Sequence, residues 1–327
     1  MSGNTLPSLL IAHCFPEGGV VIRYIIRRLI QAVFVVIGVI TVVFFVLRLT
    51  GDPVRLLLSQ NSSEADIQNM RHNLKLDRPI WEQYVTFLGH AAHGNFGNSI
   101  RFQGFDAMHL VLTRYPRTIQ LAVCALVLSV TLSIIFGVIA AVKRYSWYDN
   151  AVTFLALFGQ SVPNFWLGIM LILIFAVRFG WLPSQGYSLS PRYFLLPMIT
   201  LASPGLARLT RLVRSGMLDV MDQDYVRTAR AKGLGEMLVV LRHGLKNAAI
   251  PLVTVIGLDF GNLLAGAVIT EQIFQWTGVG QLAVDSINAR DFPIVQAIVF
   301  LVAVTFVLIN LFVDILYTWL DPRVRLS

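Results

Sequence analysis

Charge is what this chain has least of. Asp, Glu, Lys and Arg make up 13% of its 327 residues, against 56% apolar residues. The charged share is about half that of an ordinary globular domain. A soluble core could not hide so much apolar surface, which leaves an integral membrane protein. Cysteine is scarce as well: Cys14 and Cys124 have no CxxC spacing, and Cys124 sits in an apolar run. That excludes a disulfide framework or a zinc site as the organising device. Residues 1–20 hold no Lys or Arg, so the basic start of a signal peptide is missing. LLIAHC (residues 9–14) has the look of a lipoprotein cleavage box, but cleavage there would export Arg23, Arg27 and Arg28. No GxxxxGK[ST] run is present to cradle ATP phosphates. HExxH, GxSxG and paired carboxylates near a pocket are missing too, so there is no catalytic candidate. His90 and His93 are three residues apart without a third ligand nearby, and read as loop histidines rather than a metal site.

What is present is a series of apolar runs of membrane-crossing length. About twenty helical residues span the ~30 Å hydrocarbon layer. Leu29–Leu49, Thr118–Val142, Val152–Val177, Leu195–Val213, Leu252–Ile273 and Ile294–Leu320 give six such spans. The expected fold is an all-α membrane protein with both ends cytoplasmic. The third span is interrupted by SVPNFWLG (161–168), where Pro163 removes a backbone bond and should kink it; Pro204-Gly205 should break the fourth. Residues 50–117 form a long external segment with helical patches at 64–74 and 79–90, and Arg178–Tyr193 is a second outer loop. On this layout fifteen Lys and Arg lie inside and eleven outside, eight of the latter in or beside the long external segment. Long segments translocate regardless of charge, so the short loops decide, and they favour this orientation. The net charge of +8 is therefore a topology signal rather than a nucleic-acid surface. No internal repeat is evident, which weakens an inverted-repeat carrier.

The longest polar stretch of the second half runs from Asp222 to Pro251, DQDYVRTARAKGLGEMLVVLRHGLKNAAIP, with Arg227, Arg230, Lys232, Arg242 and Lys246 giving it five positive charges. Asp222 or Asp224 can cap a helix start, Gly233 suits the left-handed position after a helix end, and a second helical run covers Glu236–Asn247. The residues 224–234, DYVRTARAKGL, resemble the cytoplasmic signature loop of permease subunits of bacterial ABC importers, in the variant of the peptide/nickel group that lacks the usual glutamate. VIRYIIRRL (21–29), Gly51-Asp52-Pro53, GNFGNS (94–99, with Asn95 in place of an acid) and NLFVDILYTWLDPRV (310–324) resemble further motifs of that family, so the likeness extends from Tyr24 to Arg325.

The resemblance implies a permease domain over 21–327 with a coupling loop at 215–250. Asp224, Tyr225, Arg227, Ala229, Arg230, Ala231 and Gly233 would form the helix that docks into an ATPase subunit. It implies a homologous second permease, two ATP-binding subunits that hold the ATP and magnesium, a periplasmic solute-binding protein and a bacterial inner-membrane location, with no cofactor in this chain. Di- or oligopeptides are the expected solutes, with nickel, glutathione or opines as alternatives in the same family. The likeness at VIRYIIRRL also suggests a true start at Val20 or Val21, with residues 1–20 an extension. The rival class is a stand-alone proton-coupled carrier with Asp259 as its proton site.

Within the fifth span, Gly257 and Gly261 form a small-residue face that allows close helix approach. At 100° per residue Asp259 points away from them, and Asn262 and Gly266 fall near its side. A carboxylate near a helix centre costs roughly 2.5–3.5 kcal/mol on insertion scales. Asp259, Asn262 and Gly266 are therefore expected to line the solute pathway, with a preference for cationic solutes. In the fourth span Arg208, Arg211 and Arg214 recur every third residue, and Asp314 in the sixth is the expected partner of Arg208 or Arg211.

Overall fold

The computed structural model describes residues 18–49, 63–73, 76–102 and 104–320. The Gly51-Asp52-Pro53 motif, Cys14 and the basic tail with Arg323 and Arg325 lie outside the described residues. Among the described residues the chain is helical throughout, apart from turns and one isolated bridge between Asn98 and Asp106.

Helix α1, Gly18–Leu49, packs along the last helix, α12, Phe292–Leu320. Ile40 and Phe44 are its buried contacts, and much of its remaining apolar surface is exposed. Two short helices follow: α2, Glu64–Asn73, and α3, Ile80–Ala92. Phe87 of α3 stacks on Phe44 and Tyr84 meets it at a tilt, while Phe96 of the GNFGNS turn meets Phe87 and Phe300. This aromatic cluster fixes α3 and the GNFGNS turn onto the α1–α12 pair.

Helix α4, Ala107–Val142, begins eleven residues before the expected start of the second span. Asp106 caps it by accepting from the His109 amide at 2.8 Å, and Pro116 lies inside it. Its 36 residues reach about 54 Å, well beyond the hydrocarbon layer. The expected external segment, 50–117, thus includes the first eleven residues of this helix. Ala122, Ala125, Ser129, Ser133, Gly137 and Ala141 make a small-residue face along α4. Helix α7, Pro191–Met221, lies against it. The approach is close enough that a Cβ on Gly137 would sit 2.6 Å from the Val213 Cβ.

Helices α5, Trp147–Ser161, and α6, Asn164–Leu171, occupy the expected third span and are broken at the expected proline; α6 runs on as a π-helical stretch, Ile172–Arg178. They meet at 105° around Val162-Pro163. The fourth span differs from expectation: α7 passes through Pro197 and Pro204 as one continuous helix. Proline removes a single donor. Here Gly205 lies buried between Ser129 and Asp259, and tight packing on α4 and α10 keeps the helix continuous through it.

The coupling segment is α8, Asp224–Ala231, then a short turn of helix, α9, Glu236–Leu238, and a π-helical stretch, Val239–Leu245. The latter leads straight into α10, Lys246–Phe274. Since α7 continues to Met221, the loop proper is shorter than 215–250. On the far side, α11, Val279–Asn288, bridges α10 to α12.

Among the described residues four helices are long and apolar enough to cross a membrane: Ile26–Leu49 of α1, α4, Pro251–Phe274 of α10 and Phe292–Asp314 of α12. The bent α5–α6 pair makes a fifth if it is one span.

Candidate functional site

Two ends of the bundle and one mid-height cluster carry the chemistry. At the first end, α8 is an amphipathic helix of eight residues. Val226 and Ala229 are buried against Val239, Val220 and Met221, while Tyr225, Arg227 and Arg230 are exposed. Ala229 therefore faces its own subunit and is not on a docking face, a correction to the sequence reading. The helix is not capped by Asp222 or Asp224: Gln223 occupies the cap without a side-chain bond, Asp224 is the first helical residue and Asp222 ends α7. Gly233 is left-handed, at φ +78°, and its amide donates to Arg230 O at 2.9 Å. Arg230 Nε and Nη2 then reach across the turn to Glu236 at 3.1 and 2.7 Å. That contact holds the Glu236 carboxyl below its ordinary value and raises the Arg230 guanidinium. Arg144, from the α4–α5 turn, meets Asp222 at 3.6 Å, so both connections share one face.

Above this end, the three arginines of α7 each find a different partner. Arg214 makes two bonds to the buried carboxylate of Asp149 on α5, 2.5 and 2.8 Å long. Arg211 donates to Gln160 near the α5–α6 break. Arg208 Nη1 lies 3.1 Å from Asp259 Oδ1 on α10. The expected pairing of Arg208 or Arg211 with Asp314 does not occur. Asp314 pairs with Arg28 of α1 at 3.1 Å, because α12 packs beside α1 and α10 rather than against α7.

The fifth-span geometry is explicit. Cβ atoms on Gly257 and Gly261 would lie 2.0 Å from Val313 Cγ2 and 2.7 Å from Phe306 Cε2, so both glycines face α12. Asp259 points the other way, into the α4–α7 contact, where Gly205 leaves it room at 3.6 Å. Its side chain is 4% exposed, against 45% for that of Arg208. Asn262, beside the same carboxylate, is exposed. Gly266 sits against Leu201. The charged group at the surface of this cluster is therefore the guanidinium, with the carboxylate behind it.

The opposite end holds two buried carboxylates that sequence reasoning did not single out. Glu271, fully buried, accepts from the Thr118 hydroxyl at 2.6 Å and the Gln281 amide at 3.0 Å. It caps the start of α11, a position that favours negative charge. Gly278 and Gly280 are required there: their Cβ atoms would fall 2.2 Å from Glu271 Oε1 and 2.6 Å from Val268 Cα. Asp291 accepts from the Ser99 hydroxyl at 2.5 Å and the Arg101 amide at 3.0 Å, tying the GNFGNS element to the start of α12. The available signal was an acid at the end of an apolar run followed by Thr-Gly-x-Gly. His93 Nδ1 bonds Gly89 O, and among the described residues no group of His, Cys, Asp and Glu could hold a metal.

A helical membrane bundle with an amphipathic helix seated at one end is the class these features define. The chain belongs to the family described as binding-protein-dependent transport system inner membrane component, matched over residues 133–326, with that family's N-terminal part matched over 21–122. Among curated relatives, the oligopeptide transport system permease protein AppB of Bacillus subtilis is 39% identical over 92% of this chain and 99% of its own. The glutathione transport system permease protein GsiC of Escherichia coli K12 is 40% identical over 93% and 99%. Among solved structures, the MetNI methionine ABC transporter in inward-facing conformations matches with a TM-score of 0.53. The match covers 65% of this chain and 97% of that one at 18% identity, a likeness of fold.

Proposed function

We propose that this chain is one of two homologous permeases in an ATP-driven importer of the inner membrane, taking up di- or oligopeptides or a related small solute such as glutathione. The observation that carries this reading is α8. It hangs from the end of α7 by Asp222 and Gln223 alone, its apolar side seated on its own subunit and its basic side outward. A helix so placed transmits displacement of a docked ATPase straight into a 31-residue span. Tyr225, Arg227, Arg230 and Lys232 offer the docking groups, with Asp224 and Ala231 at the helix ends and Gly233 setting the exit. ATP and magnesium belong to the two partner ATPases, and a periplasmic binding protein delivers the solute.

In this reading α7 is a sixth span despite its arginines, because α4, α5 and α10 cover it. Both termini are cytoplasmic: Lys143 and Arg144 lie on the coupling face, as the positive-inside rule asks. Residues 1–20 are an extension, 21–327 the permease domain. Peptide as solute rests on what the relatives are named for.

Reconstitution of the complete complex in liposomes tests this. ATP-dependent uptake of a di- or tripeptide is expected, and the purified single subunit is expected to show neither ATPase activity nor uptake. Accumulation by the single subunit under a pH gradient would overturn the reading. Gly233→Val should cut uptake by the intact complex about tenfold. No neighbour lies within 4 Å of its Cβ, so the effect is the ~1–3 kcal/mol strain of a left-handed branched residue, which misdirects the helix.

A further inference from the structure

The geometry points to Arg208 as the group that recognises a carboxylate of the solute inside the pathway, with Asp259 as the buried residue that positions it. This deepens the permease reading and rests on it. Asp259 lies eight residues inside the Pro251 end of its span, about 12 Å along the helix. A half-exposed guanidinium at that depth cannot face lipid tails and looks onto an aqueous or protein-lined space. Among the described residues Arg208 meets one acceptor, through Nη1, so other donors of its planar fork remain available. Such a fork matches a carboxylate with two parallel bonds.

The carboxylate behind it is placed to hold rather than to bind. Both Asp259 oxygens are sealed from solvent; the Asn262 amide lies against the same carboxylate but short of an aligned bond. The attraction therefore draws the guanidinium against the α7–α10 seam without consuming its hydrogen-bonding directions. Gly205 and Ser129 shape the recess: a side chain at 205 would start 3.6 Å from Asp259 Oδ2. Asn262, exposed beside the pair, adds an amide able to donate to the same ligand oxygen. The surface so made is cationic with an amide flank, and fits the free C-terminal carboxylate of a short peptide better than an amine.

The test uses the complete complex in liposomes, with Cys14 and Cys124 replaced by serine and Asn262→Cys as reporter. Its reaction rates with a sulfonated and a quaternary-ammonium methanethiosulfonate are compared, each relative to a free thiol. An anionic preference of about fivefold is expected, as for a unit charge several Å away in a watery site. Arg208→Gln should abolish the preference, Arg208→Lys keep it, and Asp259→Asn increase it. Arg208→Gln should also raise several-fold the half-saturating concentration of a dipeptide in ATP-driven uptake while leaving that of its C-terminal amide unchanged; an equal effect on both would overturn the assignment. Equal rates, or a cationic preference, would overturn the assignment while leaving the pathway in place. Complete protection of the thiol in every nucleotide state would overturn both the assignment and the pathway. ATP-driven peptide uptake by the unlabelled complex, measured in parallel, reports separately on the permease reading.

Discussion

Gly280→Ala is expected to prevent this subunit from assembling. The new Cβ would stand 2.6 Å from the Val268 Cα and 3.0 Å from Glu271 Oε2. The Val268 Cα belongs to the last two turns of α10, so the obstruction is backbone and cannot rotate away. Overpacking of this kind costs about 1–3 kcal/mol even where side chains can shift. Here the displaced α11 amides would also leave Glu271 buried without its partners, adding about 1–3 kcal/mol or more. The combined loss is a large part of a marginal stability. The measurement is the yield and thermal midpoint of the monodisperse complex in detergent. Glu271→Gln, which keeps the shape and part of the hydrogen bonding, should lose less. Equal melting of Gly280→Ala and the parent protein would show that the outer cap does not hold the fold.

Val226→Asp should separate ATP hydrolysis from transport. Val226 is fully buried and Ala229 nearly so, both against Val239 and the end of α7. A carboxylate at 226 would enter a seat made of Val239, Val220 and Met221, and burial of an unpaired charge costs several kcal/mol. The helix is expected to leave its seat while its outward residues stay intact. Uptake should fall at least tenfold, with ATP hydrolysis no longer rising when loaded binding protein is added. Ala229→Glu should act the same way, from inside the subunit. Tyr225→Ala, on the exposed side, should instead weaken retention of the ATPase during purification. Stimulated hydrolysis and normal uptake in Val226→Asp would mean that the seat transmits nothing.

Local backbone chemistry was legible in the sequence, and helix neighbours were not. Pro163 marked a break that is a 105° bend, and Gly233 marked a left-handed exit with φ +78°. Both depend on a few adjacent residues. The opposite facing of Gly257/Gly261 and Asp259 also followed from helical periodicity alone. Pro204 misled, because whether a missing donor breaks a helix depends on the packing of α4 and α10 around it. Asp314 was matched to the wrong arginine for a related reason: hydropathy gives approximate depth along each helix but not which helices touch. Arg28, at the far end of the chain, comes within reach of Asp314 only through the pairing of α1 with α12. Glu271 went unnoticed because a lone acid in a span end looks like a snorkelling residue until the following glycines are seen to fold back on it. Ala229 was placed outward because its motif was read as a docking surface, whereas a small residue is what a close seat requires.

The three arginines of α7 have a mechanical corollary. They tie one rod to α5 near its start, to the α5–α6 elbow and to α10 at mid-height. A rod fastened at three levels cannot slide along its neighbours without breaking all three ties together, whereas tilting the assembled block leaves every tie intact. The natural motion of this half of the molecule is thus that of a rocker, and the stroke at α8 reappears at the opposite end as swing. Pair distances measured by spin labels should then stay constant between α5 and α7 through the ATP cycle. They should change between α8 and its counterpart on the companion permease.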